Sequence, residues 1–218
     1  MLQYDGPLIR YLVKAADMIT LNFLWILFSL PVVTFGASTA AAHYVALKLV
    51  RDEGTSVVSM FIHAFRRNLL QGCMAGILFL AAGSILGIDL WLVFTGKIHV
   101  SSLASLLFTV LLWLLSFFYL MISVYVWALM ARFENTIRQT VLNACILSVA
   151  NIKSTLMMIC WDVSLISAAV VCMAFLPQAA APMLLFGIPS LFVLNAIRVR
   201  PVLDQCEEKE NVKKGELC

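Results

Sequence analysis

"NFLWILFSLPVVTFGASTAAAHYVALKLVRDEG", residues 22–54, decides how this chain is threaded. So long an apolar run is the mark of a membrane helix, yet Pro31, Gly36 and a row of small residues interrupt it. Either it is one kinked span, or two spans joined by a tight turn outside the bilayer. The rest of the chain has to arbitrate.

Composition names the solvent. Of 218 residues, 62% are hydrophobic and 12% charged, and the mean hydropathy is +0.97. A soluble domain carries about 25% charged residues and could not hide this much apolar surface. The sequence therefore predicts an all-α, polytopic helical membrane protein in contact with the lipid bilayer. A net charge of +3 is too small to suggest nucleic acid, so no nucleic-acid partner is expected. Six cysteines, scattered without CxxC spacing, read as small hydrophobes within helices and as reduced thiols in the tail. The N-terminus has signal-peptide flavour, with Arg10 and Lys14 ahead of an apolar run. That run is long for a signal peptide, so it reads as an uncleaved first span.

Residues 18–47, 68–88, 98–131 and 163–197 contain no Asp, Glu, Lys or Arg. A helix needs about 20 residues to cross the hydrocarbon. The second window fits one span and the third a long, tilted one. Pro177 and Pro182 split the last into a hairpin, with spans near 154–176 and 182–198. Lys48, Arg51, Arg66 and Arg67 follow the first window, Arg132, Arg138 and Lys153 the third, and Arg198, Arg200, Lys209, Lys213 and Lys214 the last. These are 12 of the 15 basic residues, so their loops and the C-terminal tail belong in the cytoplasm. Two spans joined at Pro31 to Gly36 would bring Arg10 and Lys14 to the same side. That balance favours six transmembrane helices over five, in a multi-pass cell-membrane protein with both termini cytoplasmic. The short second span would then need burial against neighbours, which Ala37, Ala40, Ala41 and Ala42 permit.

"YVALKLVRDEGT" (44–55) and "YVWALMARFENT" (125–136) share five of twelve residues at an offset of 81. Each closes a span and precedes an amphipathic stretch, consistent with a parallel internal repeat over about 37–95 and 117–176. The whole reads as one transmembrane domain, 1–202, with a charged tail over 203–218.

The amphipathic stretches are "VSMFIHAFRRN" (58–68) and "TIRQTVLNACILSVANIK" (136–153). Val58, Phe61, Ile62 and Phe65 share one face of the first; Ile137, Val141, Ala144 and Cys145 share one face of the second. Such helices lie along the headgroup boundary as linkers, or serve as docking surfaces with Arg66, Arg67 and Arg138 as contacts. Gly72, Gly76, Gly83 and Gly87 make two GxxxG motifs on one face, a close helix contact within the chain, with a second copy, or with another protein. Asp162 is the deepest charge. It reads as half of an ion pair with Arg198 or as a proton or cation site. Asn22 and Asn195 read as interhelical hydrogen-bonding residues. The sequence holds no phosphate loop, HExxH or GxSxG, and no cofactor or catalytic residue is expected.

"LNFLWILFSLPVVTFGASTAAAHYVALKLVRDEG", "FRRNLLQG" and "ARFENT" strongly resemble the signature regions of the YesL family, small bacterial integral membrane proteins of unassigned activity. The resemblance covers most of residues 5–200. Its members often lie beside genes for carbohydrate ABC importers and polysaccharide-degrading enzymes in Gram-positive bacteria. It implies a non-enzymatic accessory role in oligosaccharide uptake, with an importer permease as partner. It brings no catalytic residue with it. A stand-alone solute transporter or channel built around Asp162, or a membrane-bound regulator whose partner binds 136–153, are the other readings.

Overall fold

The computed structural model describes residues 7–53, 56–95, 103–175 and 177–215. Eight α-helices and one 3-10 turn account for the described secondary structure: α1 (Pro7–Ser29), the turn Val32–Thr34, α2 (Phe35–Val50), α3 (Val57–Arg67), α4 (Leu69–Phe94), α5 (Leu103–Arg132), α6 (Ile137–Ala150), α7 (Ile152–Phe175) and α8 (Pro177–Gly215). The opening segment is thus two helices, not one kinked helix. Pro31 is extended (φ −74°, ψ 113°) and has no N–H to prolong the ladder of α1. The Thr34 hydroxyl lies 2.7 and 2.8 Å from the Phe28 and Pro31 carbonyl oxygens, satisfying groups that the end of α1 exposes. Trp25 Nε1 donates to Thr39 Oγ1 at 3.2 Å, and the Ser29 and Ser38 hydroxyls bond each other, closing α1 and α2 into a hairpin.

Four helical stretches are long and apolar enough to cross a membrane: Leu12–Ser29, Leu69–Phe94, Leu106–Arg132 and Ile152–Cys172. They mark the chain as a membrane-associated helical protein. With 16 residues, α2 falls short of that length. It is instead the buried centre of the bundle, wrapped by α1, α3, α4, α5 and α8. Every residue from Gly36 to Leu47 except Tyr44 is buried. Against its alanines pack Phe61 of α3, Tyr125 and Ala128 of α5, and Phe192, Ala196, Val199 and Leu203 of α8. Small side chains let five helices approach one axis, and dispersion at close range then holds them there.

The amphipathic helices sit differently from what their patterns suggest. Val57, Phe61 and Ala64 of α3 point inward, where Phe28 meets Phe61 at 5.5 Å and Phe65 at 4.8 Å. Val58, which the helical pattern sets on the apolar face with Phe61, is exposed. Buried α6 residues are Thr140, Ala144 and Ser148. Leu142, Ile146 and Val149 face outward. Side-chain size explains the inversion. A small residue every fourth position brings α6 close to α5, while the two hydroxyls are satisfied by their own helix at the Thr136 and Cys145 carbonyls.

The last hydrophobic stretch belongs to one helix of 39 residues. Pro177 opens α8, a position where the missing N–H costs nothing. Pro182 lies in the second turn and does not end the helix, so the break falls between α7 and α8, at residue 176, which is outside the described residues. Nor does α8 stop at 202. Val202 and Leu203 are buried, and the expected charged tail begins as a packed helical segment. The loop around Lys97 lies outside the described residues.

Candidate functional site

The ion pairs among the described residues gather at one end of the bundle, where α2, α3 and α5 finish and α8 runs past. Helix α2 stops in a Schellman arrangement: Asp52 N donates to Leu49 O at 3.2 Å and Glu53 N to Lys48 O at 3.1 Å. Asp52 takes the left-handed conformation (φ 53°) that this closure requires and that Asp tolerates. Lys48 and Arg51 of α2 and Arg132 of α5 thereby sit at helix C-termini, where the backbone dipole favours positive charge.

Arg51 and Arg132 occupy the same position of the two repeat segments, 81 residues apart. Both donate to the same Asp204 oxygen of α8. Arg132 also holds Glu207 through Nε and Nη2, a two-pronged pair that fixes both planes. Arg200 Nε lies 3.6 Å from the other Asp204 oxygen. Partial burial raises the Asp204 carboxyl, but the hydrogen bond from Arg132 and the charges of Arg132, Arg51 and Arg200 outweigh it and hold the pKa below its usual 3.8. The hydrogen bond from Lys48 likewise lowers Glu53. Arg67, at the end of α3, donates to the Ala131 carbonyl at 2.7 Å and lies 5.6 Å over the Tyr44 ring.

Sequence spacing pointed to Arg66, Arg67 and Arg138 in this region. All three are exposed to solvent, and Arg67 also reaches the cluster, through the Ala131 carbonyl and the Tyr44 ring. Asp204, Glu207, Arg51 and Arg132 were missed. Two signals were available: the 81-residue offset that equates Arg51 with Arg132, and the i, i+3 spacing of two acids in a segment read as a solvated tail.

Asp162 does not pair with Arg198. Both its oxygens accept from Asn195 Nδ2, at 3.0 and 3.1 Å, while Arg198 is exposed. Asn195 and Arg198 are three residues apart on α8, and the helix turns the amide, not the guanidinium, toward α7. Asn195 Oδ1 is buried and has no hydrogen-bond partner among the described residues. Asn22 is buried in α1.

The glycine face of α4 is divided. A Cβ on Gly36 would strike the Gly72 carbonyl oxygen and come within 2.7 Å of Gly76 Cα; one on Gly72 would lie 2.5 Å from Ala37 Cα. Backbone meets backbone here, between α2 and α4 of the same chain. Further along, a Gly83 Cβ would meet the Tyr119 side chain, its hydroxyl at 2.6 Å and its Cζ at 3.1 Å; that hydroxyl donates to the Phe79 carbonyl at 2.9 Å. Nothing lies within 4 Å of such an atom at Gly87. Among the described residues no three His, Cys, Asp or Glu side chains come together.

These features define a helical, membrane-associated protein with a small-residue core and one strongly cationic end. Residues 18–90, from the second half of α1 through most of α4, match the model of a family described as a protein of unknown function, DUF624. Neither a curated protein nor a solved structure matches the chain.

Proposed function

We propose that the chain is a non-enzymatic, multi-pass cell-membrane protein of the YesL type that serves as an accessory component of a carbohydrate (oligosaccharide) ABC importer. The observation that carries this reading is the seating of α3. Its Val57, Phe61 and Ala64 anchor it to the bundle, while Ser59, His63 and Arg66 stay exposed beside a shallow concavity of about 590 Å³. A helix held firmly by one face and bare on the other is a docking element rather than a loose linker. The excess of basic residues at this end supports a cytoplasmic position for it. In the six-span reading, α2 and residues 182–198 supply the two spans beyond the four long apolar helices. Reporter fusions at residues 3, 36, 98 and 179 test that threading. Both ends of the chain should report inside.

Purification from native membranes in mild detergent tests the partner. An importer permease should travel with the wild-type protein and be lost from Arg66→Glu, with both proteins equally monodisperse. Absence of any permease, or equal recovery with Arg66→Glu, rejects the role.

One observation favours a second reading, a stand-alone solute transporter. Asp162 has a neutral amide as its partner and no cation among the described residues. A carboxylate so placed within a helical span is suited to a proton or cation. Solute flux in liposomes that disappears in Asp162→Asn would establish it over the accessory role.

A further inference from the structure

The basic end carries a second, half-open cavity of about 220 Å³, whose lining includes Tyr44, Lys48, Arg51, Arg67, Arg132 and Glu207. We propose that this cavity binds a phosphate group, presented by an anionic lipid or by a soluble phosphate ester.

The charges are unevenly matched. Lys48 has Glu53 at 2.8 Å, Arg51 has Asp204, and Arg132 has Asp204 and Glu207. Arg67 has no carboxylate among the described residues. Its one hydrogen bond there goes to a backbone carbonyl, and its charge rests over the Tyr44 ring. Arg132 is the most enclosed cation, with its side chain 11% exposed. Its Nη1 is buried and finds no acceptor among the described residues. A guanidinium N–H left without an acceptor at a buried site is costly, and an arriving anion relieves that cost.

Both arginines line the same cavity, so an anion there meets Arg67, which has no carboxylate among the described residues, beside the guanidinium of Arg132. A carboxylate offers two oxygens in one plane. Phosphate offers three or four in a tetrahedral array and can serve guanidinium edges arriving from two helices, α3 and α5. Glu207 already shows that Arg132 holds an oxyanion in bidentate geometry. The carboxylates also oppose the ligand electrostatically: Glu207 lines the cavity itself. Removing its charge should therefore tighten binding, which a purely structural arginine cluster would not do.

The test uses the full chain in nanodiscs of phosphatidylcholine alone or with phosphatidylglycerol. Inorganic phosphate is titrated calorimetrically into the first, with chloride of equal ionic strength as control. Lipids retained by the second are read by native mass spectrometry. Saturable phosphate heat identifies a soluble ester as the source. Retained phosphatidylglycerol with no phosphate heat identifies the lipid headgroup. Either supports the proposal if Arg67→Gln weakens the signal about tenfold or more, while the exposed Arg66→Gln leaves it unchanged. Glu207→Gln should tighten it about threefold and decides the matter if Arg67→Gln fails to fold. Silence in both nanodiscs, or equal binding by wild type, Arg67→Gln and Glu207→Gln, overturns it.

Discussion

Helices α2–α3–α4 and α5–α6–α7 run in the same order and turn at the same places, yet their interiors differ. Each begins with a helix closing on Tyr, Val and Arg (Tyr44 to Arg51; Tyr125 to Arg132). Each passes to a short helix and pivots on an asparagine. Asn68 and Asn151 both donate from Nδ2 to the carbonyl four residues back, at 3.2 and 3.3 Å. Beyond the pivot, Gly72 in the first segment stands where Thr155 stands in the second. Gly72 lets α4 touch α2 backbone to backbone. Thr155 is fully buried, with its hydroxyl 2.9 Å from Ser148 O and 3.3 Å from the Tyr125 hydroxyl, so that hydrogen bonds hold α7 to α5 and α6. The first half of α5 is exposed along Leu106, Leu107, Phe108, Val110 and Leu111, an apolar surface for lipid. The same order of helices is thus stabilised by close packing in one case and by polar contacts in the other. Residue volume decides which.

The largest way to break the contrast is to enlarge a glycine at the α2–α4 crossing. Gly36→Leu or Gly72→Leu would place side-chain atoms inside backbone, and should cost at least about 3 kcal/mol or abolish the folded monomer. Loss of the monodisperse peak in detergent chromatography is the readout, with Gly87→Leu retaining it. Next is the clasp on α8. Arg132→Ala leaves Glu207 without its two-pronged partner and Asp204 with one donor fewer; about 1–3 kcal/mol is expected. Arg51→Ala, which removes one bond at a more exposed site, should cost under about 1 kcal/mol. Thermal unfolding of both variants checks the order.

Thr155→Val should cost about 1 kcal/mol, and less in a Tyr125→Phe background if the two hydroxyls act together. The smallest effect concerns pH. Asp204 has a folded pKa below its usual 3.8, so its stabilisation is complete above that value and is lost as pH falls through the lower folded one. Melting temperature should be flat from neutral pH to about pH 4 and decline below it, less steeply in Asp204→Asn. Side-chain exposure of 42% keeps the effect small. An unchanged slope in Asp204→Asn would remove the clasp from the account.

Much of the helix order was legible because a bilayer leaves the backbone few options. The long apolar windows became α4, α5 and α7, and the two amphipathic stretches became α3 and α6. What misled was any inference from helical faces alone. Periodicity set Val58 on one face with Phe61, yet it is Val57 that is buried beside Phe61; α6 buries Thr140 and Ser148 because closeness to α5 outweighs hydrophobicity there. At the candidate site, Arg67 was legible as a basic residue after an amphipathic helix. Its neighbours were not. Asp204 and Glu207 lie over 70 residues from Arg132, and no local pattern couples them.

The sequence by itself determined the solvent, since apolar content exceeds what water tolerates. It marked Pro31 as an interruption but left one kinked span and two spans both open. Proline alone does not decide, since α8 runs through Pro182, Pro189 and Pro201. The tertiary structure alone decided that α2 lies at the centre, that α4 spends Gly72 and Gly76 on it but leaves Gly87 bare, and that Asp162 meets Asn195 instead of Arg198. Those outcomes depend on how helices are rotated and how closely they approach, quantities set by the combined volumes of side chains far apart in the chain.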